Sequence, residues 1–380
     1  MATRGWPRKR GYTPPAPETA RQWLERFHDE AVMAGRPEQG FFLPPESSGL
    51  AGLSATNQRV VAAYVGAVEH APDVTLDVDA HLVETAKADA KRCYEGYPAY
   101  QPMEVLWAET GLVLADEFRE GNVPASKDIQ RMVDAAYASL PAAEWKVRVR
   151  SDSAAYEPET VLDHWHEQGW EFAVSADMSR QLRAEIEALP HEAWHAWKRE
   201  SRGMVREWAE VPFVPSRAKE KKQAPVYRYV AIRVRPEQGQ LFAQGDPVRH
   251  FAVVTNRWEM EGEALLEWHR GKAGSIEHLH HILTNELGAG VYPSGKHGAN
   301  AAWLRLQVLT HNLLQVLKAV ALPPEYGHAY PKRLRFAIFT QIGQVVRHAG
   351  TLLLRVAHQL WEQVLGPGQR RLGAALWGSG

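Results

Sequence analysis

The spacing of apolar residues changes period several times along the chain, and each change predicts a new element. "PETARQWLERFHDEAVMAG" (17–35) and "ATNQRVVAAYVGAVEHA" (55–71) repeat apolar residues three and four apart, which predicts helices. "DVTLDVDAHLVET" (73–85) alternates apolar with polar residues and predicts a strand. "QPMEVLWAETGLVLADEF" (101–118) reads as two strands joined at Thr110-Gly111, a hairpin signal. A helix, "PASKDIQRMVDAAYASL", is expected next, with Pro124 at its start. Strand, helix, strand and helix follow in "EWKVRVRSDS", "EPETVLDHWHEQG", "WEFAVSAD" and "MSRQLRAEIEAL". Three consecutive strands followed by this alternation predict a mixed sheet covered by helices, of the α/β (α+β) class.

From 190 to 260 the pattern becomes strand-rich. "MVREWAEVPFVP", "VYRYVAIRVR" and "RHFAVVTNR" are separated by a basic turn, "SRAKEKKQ". "EGEALLEWHRGKAG" comes next, then "GSIEHLHHILTNELG" (274–288). There Ile276, Leu279, Leu283 and Leu287 mark a buried helical face, with Ser275 as the expected cap and Gly288 as the stop. Helices are expected to fill the remainder, including 333–365. The expected divisions are a helical part (1–70), a core (71–189), a β-rich insertion (190–260), the last core helix (261–290) and a helical basic part (291–380).

Composition adds exclusions. The 380 residues are 45% hydrophobic and 23% charged, an ordinary globular balance. A single cysteine, Cys93, excludes an intrachain disulfide and cysteine-rich zinc modules, and fits a reducing cytoplasm. No stretch is apolar enough for a membrane span, and the basic, Pro-rich N-terminus is not a signal peptide. No phosphate-binding loop or serine-hydrolase elbow stands in a useful context, so no nucleotide cofactor is expected. Net charge is −1, but from residue 296 onward ten Lys/Arg face two acids, Glu325 and Glu362. Such a basic region suits either a polyanion partner or solvated helix faces.

Three acids occupy chemically suggestive places. Asp77 and Asp79 share one face of the first strand, Asp152 ends a later strand, and Glu277 stands on a late helix. Ligand sites in such sheets favour strand ends. Carboxylates converging there suit magnesium or manganese, which take oxygen ligands. Glu277 beside His278, His280 and His281 leaves three readings open: a solvated acid, a zinc site, or one member of a carboxylate cluster. The zinc reading is the weaker, because the three histidines share no helix face and no H-E-x-x-H spacing is present.

Four stretches in order resemble the ribonuclease-H-like catalytic domain of bacterial insertion-sequence DDE transposases, in the branch with a β-rich insertion. "LDVDAHLVET" resembles the first-aspartate strand and points to Asp79 over Asp77. "AETGLVLADEFREGN" is similar to the second and third strands. "VRVRSDSAAY" resembles the second-aspartate segment and points to Asp152. "VTNRWEMEGEALLEWHRGKAGSIEHLHHILTNELGAG" is similar to the segment bearing the third acid, Glu277. The likeness covers roughly residues 70 to 350.

The chain also departs from the pattern. Ala80-His81 follows Asp79 where a hydroxyl residue is usual, and Thr284 stands where a lysine is expected. "PETARQWLERF" resembles the tail of a helix-turn-helix region, which suggests a truncated DNA-binding part.

The resemblance implies that Asp79, Asp152 and Glu277 hold two Mg2+ (or Mn2+) ions and catalyse DNA cleavage and strand transfer. It also implies DNA partners, the transposon ends and the target, with a homodimer in the DNA complex and a cytoplasmic, nucleoid-associated location. Arg270, Lys272, Lys332, Arg333, Arg335 and Arg347 are the candidate phosphate contacts. The alternatives are a DNA-binding relic that cuts nothing and a different ribonuclease-H-like nuclease.

Overall fold

The computed structural model describes residues 16–199, 203–215, 224–237, 248–348 and 350–377. The basic turn expected at 216–223 lies outside the described residues. Three N-terminal helices, α1 (Pro17–Glu25), α2 (Glu30–Ala34) and α3 (Ser48–Ala67), lead into strand β1 (Asp73–Ala80). Two short strands, β2 (Val83–Glu84) and β3 (Ala99–Tyr100), pair with each other beside it. The hairpin β4 (Met103–Trp107) and β5 (Leu112–Glu117) turns at Gly111, whose φ of +70° lies in the left-handed region that glycine tolerates. Then come α4 (Ile129–Ala138), β6 (Lys146–Ser151), α5 (Asp163–Glu167), β7 (Glu171–Ser175) and α6 (Arg180–Glu187). Strands β8 (His195–Arg199), β9 (Met204–Val211), β10 (Arg228–Pro236) and β11 (Arg249–Thr255) precede the long helices α7 (Gly262–His281) and α8 (His297–Val320).

Among the described residues, nine strands form one sheet in the order β5-β4-β1-β6-β7-β11-β10-β9-β8. The hairpin strands are antiparallel to β1, whereas β1, β6 and β7 are parallel. The result is a mixed sheet flanked by helices, of the α/β class expected. The strands expected as an insertion continue it, because β11 pairs antiparallel with β7 through Val253–Ser175.

The alternation in β1 sorts its side chains between two cores. Val74, Leu76 and Val78 pack with Val61 of α3, Met132 of α4, Trp165 of α5 and Leu182 of α6. Thr75, Asp77 and Asp79 point to the other face, which α7 crosses. Leu265 and Leu266 of α7 pack on Ala173 of β7 and Val253 of β11. Further along, Ile276, Leu279 and Leu283 pack on Leu106 of β4 and Val113 of β5. Helix α7 therefore lies across the strands rather than along them. Each of these buried leucines and isoleucines contributes about 1.5–3 kcal/mol. The edge of β5 is covered: Val113 N–H donates to Asn312 of α8, and its carbonyl accepts from Asn57 of α3 and from Asn312.

Four local expectations differ from the structure. Ser275 is no cap: α7 starts at Gly262, with the Glu261 side chain accepting from Ala264 N–H. Pro124 precedes α4 by five residues, and Asp128, at φ 57°, sits before its first turn. Strand β8 was not expected. The helix expected over 333–365 is instead a short helix, a β-hairpin (β12, Gly343–His348; β13, Thr351–Val356) and a further helical stretch from His358. Gly350, at φ +80°, supplies the hairpin turn. Among the described residues no helix is long and apolar enough to cross a membrane.

Candidate active site

The strands β1 and β6 carry their polar residues with matched spacing, Asp77-x-Asp79 and Arg150-x-Asp152. They run parallel, with Asp77 opposite Arg150. The two-residue period therefore makes two rungs on the α7 face: an inner one of Asp77 and Arg150, and an outer one of Asp79 and Asp152 at the carboxyl ends of the strands.

The inner rung is closed. Asp77 is fully buried. Arg150 grips it bidentately, Nε to Oδ1 at 2.6 Å and Nη2 to Oδ2 at 2.7 Å, and the Ser275 hydroxyl donates to Oδ2. Arg150 Nη1 also donates to the Trp268 carbonyl at 2.6 Å. A Cβ at Gly271 would meet that nitrogen at 2.5 Å, so a glycine lets α7 approach here. Burial pushes the Asp77 carboxyl above the usual range, and the guanidinium offsets part of that rise. With both oxygens hydrogen-bonded and no surface exposed, Asp77 is closed to a ligand from solvent.

The outer rung is open. Asp79 is partly exposed; its Oδ2 lies 3.0 Å from the Lys272 ammonium, and its Oδ1 accepts from the Ala80 N–H. Asp152 is exposed and caps the short turn Ser153–Ala155 by accepting from Ala154 N–H at 3.0 Å. It lines a shallow depression with Tyr94, Gln101, Tyr156, Glu157 and Asp177. Between the rungs, His269 of α7 bonds to the Ser151 carbonyl at 3.0 Å. Burial pushes the His269 ring down to about 4, so it stays neutral near pH 7.

Glu277 is exposed on α7. Ser275 reaches back to Asp77, whereas His280 reaches toward His81, beyond the end of β1. At 100° per residue, Glu277 lies about 60° from His280 and about 160° from Ser275 around the helix. That turns it to the His280 side of the helix, away from Ser275. The structure sets Asp79 and Asp152 at adjoining strand ends, and it does not draw their carboxylates and that of Glu277 together. Among the described residues one trio brings three candidate metal-ligand atoms within 4.8 Å of one another, and it consists of His81, Glu104 and His280.

The expected phosphate contacts divide. Arg270 is exposed and lies over the Trp197 ring at 5.3 Å. Lys272 is buried and turned inward onto Asp79. Lys332, Arg333 and Arg335 are exposed around the short helix Pro331–Leu334, which Pro331, Leu334 and Ile338 anchor in the interior. Arg335 Nη2 donates to the Glu286 carbonyl, and Arg333 stacks over Tyr326. Arg347 is exposed in β12.

Sequence reasoning missed Arg150, Glu104 and the inward turn of Lys272. The signal for Arg150 was present: it stands two residues before Asp152, as Asp77 stands two before Asp79, in a strand otherwise rich in valine.

The outer rung offers the donor chemistry of a divalent-cation site, carboxylate oxygens at open strand ends, the set that hard cations take. The Lys272 ammonium holds that place at Asp79 Oδ2.

The family "Transposase DDE domain group 1" matches residues 20–366. No curated protein matches. Among solved structures, the chain is similar to a cryo-EM structure of a piggyBac transposase synaptic complex with hairpin DNA. The two are 7% identical, with a TM-score of 0.38, and the match covers 79% of this chain and 74% of that one. With the family match spanning almost the whole chain, the protein belongs to the DDE-domain transposases, a divalent-metal-dependent family that catalyses DNA cleavage and strand transfer.

Proposed function

We propose that Asp79, Asp152 and Glu277 are the catalytic carboxylates and that they hold two Mg2+ or Mn2+ ions. The observation that carries this is the contrast between the rungs. Asp77 is closed off by Arg150 and Ser275, whereas Asp79 and Asp152 stand at adjoining strand ends with oxygens that solvent can reach. Such ions, when bound, lower the pKa of a water and stabilise charge on a phosphodiester. The protein's own groups orient and neutralise. The Arg150–Asp77 pair ties β1 to β6 on the inner side of the two outer acids. Lys272 balances Asp79; with a cation in that role, its ammonium is free to meet a DNA phosphate. His269, neutral and bonded to the Ser151 carbonyl, holds α7 down between the two rungs.

The substrate in this reading is duplex DNA at the ends of a mobile element, then target DNA attacked by the freed 3′ hydroxyl. A pair of chains brings the two ends together. Arg270, Lys332, Arg333, Arg335 and Arg347 supply exposed charge for phosphates, which gives affinity and register rather than sequence. The test is Mg2+-dependent nicking of a duplex carrying the element's own terminal repeats. Wild type should cut at the repeat ends, and the Asp79→Ala and Asp152→Ala variants should not. Undiminished cutting by both variants would overturn the assignment.

A further inference from the structure

Where α7 crosses β4, three polar side chains meet in a buried space. Glu104, opposite Asp79 in the β1–β4 register, is fully buried, and neither of its carboxylate oxygens accepts a hydrogen bond. His81 Nδ1 lies 3.4 Å from Glu104 Oε2, and His280 Nε2 lies 3.3 Å from the same oxygen. Both nitrogens of His81, and Nε2 of His280, are also buried without a hydrogen-bond partner. The two rings stack at 4.1 Å with 25° between their planes. Buried polar groups are almost always paired, so a cluster left with this many bare atoms needs something to complete it.

We propose that His81, Glu104 and His280 bind a zinc-class divalent cation through two imidazole nitrogens and one carboxylate oxygen. The dimensions fit. Zinc bonds to such donors are about 2.0–2.2 Å, so a tetrahedral site has donor–donor edges of roughly 3.3–3.5 Å. The two measured edges are 3.4 and 3.3 Å, and all three donors lie within 4.8 Å of one another. The donor set separates this site from the outer rung: imidazole suits zinc and its neighbours, whereas carboxylates alone suit magnesium and manganese. His278 and His281 take no part, since both face Tyr330. The three ligands come from the segment after β1, from β4 and from α7. A bound cation would therefore fasten α7 to the sheet three residues from Glu277. This holds whether or not the outer rung is catalytic.

The full chain, stripped with a chelator and moved to metal-free buffer, is titrated with zinc against a chromophoric chelator. One equivalent should bind with a dissociation constant below about a micromolar, weakened about a hundredfold or more in His280→Ala and in His81→Ala. The Asp79→Ala/Asp152→Ala double variant should bind zinc as wild type does. Cobalt in place of zinc gives a second readout on wild type alone, which remains decisive if a histidine variant does not fold. Visible bands of a tetrahedral nitrogen–oxygen site are expected. Failure of wild type to bind would overturn the proposal. So would undiminished binding by folded histidine variants, an octahedral cobalt spectrum, or loss of zinc in the double aspartate variant.

Discussion

Asp77 and Asp79 stand two residues apart on one strand face, yet they have opposite environments. Asp77 meets a guanidinium, a serine hydroxyl and no solvent. Asp79 meets one lysine and the open rim. The difference comes from their neighbours: β6 places Arg150 against the first and Asp152 beside the second, and α7 covers the first more closely than the second. A buried carboxylate paired with a guanidinium serves the fold, and one that solvent reaches can serve chemistry.

The largest expected effect is on activity. Asp79→Ala and Asp152→Ala should each reduce metal-dependent strand cleavage by about a thousandfold or more. The urea-unfolding midpoint of Asp152→Ala should stay close to that of wild type, because its side chain is exposed, whereas Asp79→Ala leaves the Lys272 ammonium without its partner and should lower the midpoint moderately. A stability loss as large as the activity loss would erase the contrast between the rungs.

Asp77→Ala breaks it from the other side. Removing the carboxylate leaves Arg150 buried and uncompensated, which should cost about 3–5 kcal/mol by denaturant titration. Pairing it with Arg150→Met removes the stranded charge and should recover most of that stability. A double variant no more stable than Asp77→Ala would show that the guanidinium was not the source of the loss.

Acid should loosen the contact between the rungs. Burial holds His269, and also His297 and His311, at about 4. An exposed histidine in the unfolded chain titrates near 6.5. Between those values the unfolded state binds more protons, so stability is full above about pH 6.5 and falls as pH drops toward 4. Each such group adds up to one proton to the slope in that window. His269→Gln should reduce it by about one, measured as unfolding free energy against pH; an unchanged slope would mean that this ring does not titrate in that window.

The smallest effect concerns cations, where the same division between inward and outward recurs. Lys272 is turned in, whereas Lys332, Arg333, Arg335 and Arg347 face water. Replacing those four with alanine should flatten the dependence of log affinity on log salt by roughly two to four units for any duplex. Lys272→Ala should change that slope by less than about one unit. Equal effects would place Lys272 on the open surface.

Much of this arrangement was legible in the sequence. Period-two alternation gave β1, β6 and β7, and Thr110-Gly111 gave the hairpin. Asp152 was recognisable as a strand-end acid, whereas Asp79 was separated from Asp77 only by the family resemblance. Helix α7 reads as two pieces because Gly274-Ser275 looks like a helix start. In the structure Ser275 bonds to Asp77 while staying helical, and Gly271, one turn earlier, makes room for Arg150. Strand β8 was missed because four of its five residues are exposed and leave no alternating pattern. The β12–β13 hairpin was read as helix because its leucines and valines also satisfy a three-and-four spacing. Glu104 and His280 could not be paired from spacing, since 176 residues separate them and only the crossing of α7 over β4 brings them together.

The most direct test of the outer rung is Mn2+ binding to the full chain, followed by loss of the free-ion paramagnetic resonance signal. Wild type should bind Mn2+, Asp79→Ala and Asp152→Ala should bind it at least about tenfold more weakly, and Asp77→Ala/Arg150→Met should bind nearly as wild type does. Wild-type affinity in both outer-rung variants, or its loss only in the inner-rung double variant, would contradict the assignment of Asp79 and Asp152 as the metal-holding carboxylates.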